Sequence, residues 1–194
     1  MTLLRYLTFS IVICGLASAS HAAIVFSTLL SGAAEAPPNL SAGTGMATLT
    51  FDDALKTMRL QATFSGLTGT VTAAHIHAPT AVANMETAGV ATQTPTFSGF
   101  PSGVTSGTYD NTFDMSLAAS YNPAFITANG GTPTTAYAAL RTAVDDNKSY
   151  LNIHTSAFGG GEIRGFFAVP EPSCLGVGML LLGLTVHRRQ RRSV

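Results

Sequence analysis

Three histidines carry most of the chemistry this chain can offer. His75 and His77 alternate in Val71-Thr-Ala-Ala-His-Ile-His77, and His154 lies in Tyr150-Leu-Asn-Ile-His-Thr155. Side chains alternate faces along a strand with period two. His75 and His77 therefore share one face while Ile76 takes the other. His154 and Asn152 share a face opposite Leu151 and Ile153. In Gly161-Glu-Ile-Arg-Gly165, Glu162 and Arg164 stand together opposite Ile163. If the aliphatics define the core, three imidazoles, a carboxylate and a guanidinium gather on the other side of the sheet. Two arrangements satisfy this pattern. Three nitrogen ligands suit Zn or Cu with one position left open, with Glu162, Arg164 and Asn152 orienting the histidines or a bound anion. Alternatively the same residues form a hydrogen-bonded polar cluster that pins strand register and binds nothing. No Gly-x-Ser-x-Gly elbow, phosphate loop or reactive cysteine offers a competing catalytic centre.

The elements that must position these residues read as strands divided by turn signals. Expected strands are 24–30, 46–51, 57–64, 71–78, 149–155 and 161–168, with weaker ones near 89–92 and 107–116. Asp52-Asp-Ala-Leu-Lys56 reads as a hairpin turn, and Ala136-Tyr-Ala-Ala-Leu-Arg-Thr-Ala-Val144 as one short helix. The stretch from Thr92 to Thr135 is rich in Gly, Pro and Thr and shows no clear period. The expected fold class is all-β, a Greek-key β-sandwich or barrel with one short helix.

This domain, residues 24–168, is flanked by two apolar ends. Residues 1–23 have the order of a signal peptide: Arg5, an apolar run from Leu7 to Leu16, and small residues up to Ala23. Residues 169–194 hold Pro170-Glu171-Pro172, an apolar stretch from Ser173 to Val186, and Arg188, Arg189, Arg191 and Arg192. The stretch spans only ~21 Å as a helix. Its arginine flank nevertheless places it N-out, C-in in an inner membrane. The full chain has no net formal charge, but residues 24–168 hold nine acids against five bases, a balance of −4. An acidic domain lacks the clustered cations that nucleic-acid phosphates require. Both cysteines, Cys14 and Cys174, lie in the flanks, so the domain is expected to fold without a disulfide.

Two resemblances rest on these segments. The Pro-Glu-Pro, apolar stretch and arginine cluster resemble the PEP-CTERM sorting signal. That resemblance implies a Gram-negative bacterium, recognition by a membrane exosortase and the secretion machinery, and delivery to the cell surface or to extracellular polysaccharide. The runs 30–38, 43–49, 67–77, 150–155 and 161–165 together resemble the CHRD domain, found in chordin and in bacterial exported proteins. It implies a secreted, non-enzymatic binding or structural role. A fainter likeness lies in Gly66-Leu-Thr-Gly69 running into His75-x-His77, with a later histidine and arginine. It is similar to the copper face of Cu/Zn superoxide dismutase, and implies copper on His75, His77 and His154 with Arg164 guiding an anion. The zinc loop of that enzyme has no counterpart here, because 79–150 contains no histidine. A copper-only oxidoreductase is the enzymatic alternative.

Overall fold

A computed structural model describes residues 23–170. Residues 1–22, most of the expected signal peptide, and residues from Glu171 onward, including Pro172 and the four arginines of the expected sorting tail, lie outside the described residues.

Seven strands form one antiparallel sheet: β1 (Ile24–Ser31), β2 (Thr44–Asp52), β3 (Thr57–Ser65), β4 (Val71–His77), β5 (Gly107–Asp114), β6 (Tyr150–Thr155) and β7 (Ile163–Phe166), in the spatial order β4-β6-β7-β1-β2-β3-β5. The first three form a meander. Strand β2 alternates cleanly, burying Ala47, Leu49 and Phe51, and β3 buries Met58, Leu60, Ala62 and Phe64. Their intervening polar residues face outward, as expected of an antiparallel sheet with one solvated face.

The sheet curls. The segment leading into β5 reaches the start of β4, where Val71 N–H donates to the Val104 carbonyl and Gly103 N–H donates to the Val71 carbonyl, both at 2.9 Å. Residues 79–106 then run along the remaining edge of β4. Ile76 N–H donates to Thr92 Oγ1, Ala74 N–H donates to Thr96 Oγ1, and Phe97 N–H donates to the Ala74 carbonyl. An unpaired edge would template association with other chains; here loop hydroxyls and amides satisfy it. Phe97 and Phe100 anchor the loop in the core.

Two helices stand where one was expected: α1 (Pro123–Ala128) and α2 (Pro133–Asp145). Each begins with proline behind a polar cap. Asn122 accepts from Ala124 N–H, and Thr132 and Thr135 form a reciprocal capping box. Such caps satisfy amide donors that a helix leaves open, and they start α2 three residues ahead of the expected Ala136. The apolar side of α2 closes the core: Tyr137 meets Phe51 edge-on at 6.0 Å, and the Arg141 guanidinium lies 5.0 Å over Phe51. The weak strand near 89–92 is reduced to isolated bridges between His77 and Val90 and between Thr92 and Tyr121.

Candidate metal centre

The site stands on the outward face of β4, β6 and β7. Ile76, Ile153 and Ile163 are fully buried in the core, so their neighbours in sequence point the other way. Register then sets out the site in rows: Ala73 opposite His154, His75 opposite Asn152 opposite Arg164, and His77 opposite Tyr150 opposite Phe166. Ala73 is small, so the ring of His154 can lean diagonally toward His75. The His75 and His154 ring centroids are 5.1 Å apart, His75 and His77 5.7 Å, and His77 and His154 5.8 Å.

Each imidazole donates one ring N–H to a backbone carbonyl. His75 uses Nε2 toward Pro95, at 2.5 Å; His77 uses Nδ1 toward Ala88, at 2.9 Å; His154 uses Nδ1 toward Gly159, at 3.0 Å. A neutral imidazole has one donor and one acceptor nitrogen. These bonds therefore assign the tautomers and leave His75 Nδ1, His77 Nε2 and His154 Nε2 with bare lone pairs. All three are buried and have no hydrogen-bond partner. Ligand atoms of the three residues lie within 4.8 Å of one another. Metal-bound imidazoles reach about 2.0–2.1 Å from zinc, which sets their nitrogens roughly 3–4 Å apart, so modest ring rotations close the triangle.

Burial keeps the rings uncharged. It pushes the pKa of all three below the usual histidine value, that of His77 to about 4, where repulsion by the other two rings and by Arg164 adds to it. Neutral imidazole is the form that binds metal. The carbonyl bonds supply the outer support that metal-ligating histidines usually have.

The remaining expected residues divide. Asn152 stands between His75 and Arg164, with its Oδ1 buried and without a partner. Arg164 is held through Nε by the Ala34 carbonyl and through Nη1 by that of Glu86, at 2.8 Å; its guanidinium lies 4.8 Å over the Tyr150 ring. Glu162 is elsewhere. Its carboxylate accepts from Ser41 Oγ and Thr155 Oγ1 and from the amides of Thr68 and Gly69, so it ties the β3–β4 turn to β7 and touches no imidazole. Burial raises its pKa, but these four bonds outweigh it and hold the carboxyl below its ordinary range.

Two contributors were missed in the sequence. Tyr150 stacks face to face on His77, with centroids 4.9 Å apart and planes within 1°. It shares parity with Asn152 and His154, so the period-two signal was there to place it. Glu35 was not legible as a member. It arrives from the turn after β1, 3.9 Å from Arg164, with Oε1 buried and unpartnered. Burial raises its pKa to about 7 against the opposing pull of Arg164 and the Ala36 amide. Gly161, at φ +129°, lets the loop pass: a Cβ there would meet the Asn152 amide at 2.4 Å and Glu35 Oε1 at 2.7 Å.

A family model described as CHRD domain matches residues 26–167, the curled sheet and its loops but for the first two residues of β1. This chain belongs to the CHRD domain family. No curated protein and no solved structure matches it. The three histidines of this CHRD domain lie within the matched span, as do the loops whose carbonyls orient them. Among the described residues no helix is long and apolar enough to cross a membrane.

Proposed function

We propose that this CHRD domain works outside the cytoplasm and holds one copper or zinc ion through His75 Nδ1, His77 Nε2 and His154 Nε2. The observation that carries the reading is that three histidines whose ligand atoms lie within 4.8 Å of one another each keep one buried nitrogen without a protein partner. A cluster serving only to pin register would satisfy its polar atoms internally, since a buried unsatisfied group costs about 1–3 kcal/mol. Here one nitrogen of each ring is bonded to a carbonyl and the other has no partner in the protein. The role is binding, or a metal-supported structural role, rather than an assigned catalytic step. The curled sheet, with its crossovers from β3 to β4 and β4 to β5, supports the Greek-key barrel reading over two stacked sheets.

Export is part of the proposal. The signal-peptide order of 1–23 and the Pro170-Glu171-Pro172, apolar and arginine pattern of 169–194 are read as secretion followed by exosortase sorting. The protein is held in the inner membrane until processing and then released to the surface or into extracellular polysaccharide. Intact mass of the mature protein tests the sorting: a C-terminus near Pro172 supports it, and retention of Arg191 and Arg192 overturns it.

Metal analysis tests the site. The protein, stripped with chelator and reloaded with Cu or Zn, is expected to retain one ion per chain. His75→Ala and His154→Ala are each expected to abolish retention while the circular dichroism stays that of the β fold. Retention that survives either substitution refutes the site and leaves a hydrogen-bonded cluster.

A further inference from the structure

The geometry points to monovalent copper as the ion this site selects, an inference that rests on the metal-binding reading above. The first ground is ligand number. Among the described residues no other His, Cys, Asp or Glu joins the three histidines within bonding range of a shared ion. The two nearby carboxylates, just before β7 and in the turn after β1, are turned elsewhere: Glu162 to Ser41, Thr155, Thr68 and Gly69, and Glu35 toward Arg164. Zinc sites are almost always four-coordinate, with water in the fourth position where protein supplies three ligands. Copper(I), with a filled d shell and a single charge, is stable with three nitrogens in a plane.

The second ground is access. His75 Nδ1, His77 Nε2 and His154 Nε2 are all sealed from solvent. The segment 79–106 covers them on the β4 side, with its Ala88 and Pro95 carbonyls bonded to two of the rings; the 156–161 loop covers the β6 side, with its Gly159 carbonyl bonded to the third. The three nitrogens thus face one another under loops tied down by those bonds, a setting that favours an ion needing no solvent ligand.

Charge is the third ground. The ligand set is neutral. Next to it stands a fixed cation, Arg164, stacked over the same Tyr150 ring that stacks on His77. Repulsion scales with the charge on the ion, so a divalent ion suffers twice what a monovalent one does at the same place.

Anaerobic titration with copper(I), against a chromophoric copper(I) chelator, tests the selection. Zinc is titrated in parallel, and X-ray absorption counts the ligands. The expected result is one copper(I) per chain with three nitrogen ligands, not displaced by a tenfold excess of zinc. Both His75→Leu, which keeps about the volume of the ring without offering a ligand atom, and His154→Ala are expected to lose it. Zinc that binds at these histidines and displaces copper(I), or copper(I) found with four ligands, overturns the selection while leaving a metal site in place. If neither ion binds, the selection and the metal-binding reading fall together.

Discussion

His75 and His77 stand two residues apart on β4, yet they address the loop above them through opposite ring nitrogens. His75 turns Nε2 to Pro95, and His77 turns Nδ1 to Ala88. Rings of the same type on the same face thereby present unlike atoms to one centre. In the metal-free protein near pH 7.5, nitrogen-15 NMR is expected to show the Nε2–H tautomer for His75 and the Nδ1–H tautomer for His77 and His154. A shared tautomer for His75 and His77 would mean that the loop carbonyls do not orient them.

The isoleucines behind the site set the faces of all three strands. Ile76, Ile153 and Ile163 are completely buried. Truncating each to alanine should cost about 2–5 kcal/mol in urea unfolding. Losses under about 1 kcal/mol at all three would show that the strands present their other faces to the core.

Glu162 is expected to be structural. Glu162→Ala removes the acceptor shared by Ser41, Thr155, Thr68 and Gly69, and charged hydrogen bonds contribute roughly 1.5–3 kcal/mol each. A loss of at least about 3 kcal/mol is expected, with metal stoichiometry unchanged in the folded fraction. Lost metal at full stability would instead tie Glu162 to the histidines.

Acid should destabilise the metal-free domain through the histidines and stabilise it through Glu35. The histidine pKa values fall on folding, His77 to about 4. Their stability is present above about 6.5, the unfolded value, and is lost as pH falls through each folded value, which for His77 is about 4. The pKa of Glu35 rises from 4.5 to about 7. Its stability is present below 4.5 and is lost as pH rises through 7. The two effects oppose each other over one interval. Glu35→Gln, which mimics the protonated acid, should therefore gain stability over the parent between pH 4.5 and pH 8, by on the order of 2–3 kcal/mol. Parallel urea-midpoint curves for the two proteins would sink the assignment.

Period-two alternation alone put His75, His77, His154, Asn152 and Arg164 on one face and Ile76, Ile153 and Ile163 on the other. Parity is a local property of an extended backbone, and it survives whatever the sheet does next. The same rule misplaced Glu162 among the histidines. Gly161 takes a left-handed φ just before it, and strand β7 begins only at Ile163, so Glu162 leaves the alternation and turns toward Thr68 and Gly69. The CHRD likeness was legible because it rests on short runs of residue types. Segment 79–106 was not legible, since it works through the carbonyls of Ala88 and Pro95, and a carbonyl looks alike in every residue. Residue order thus determined which imidazoles share a face. Only the tertiary structure decided which nitrogen of each ring is left bare, because that choice belongs to backbone atoms brought in from 11 and 20 residues away for His77 and His75.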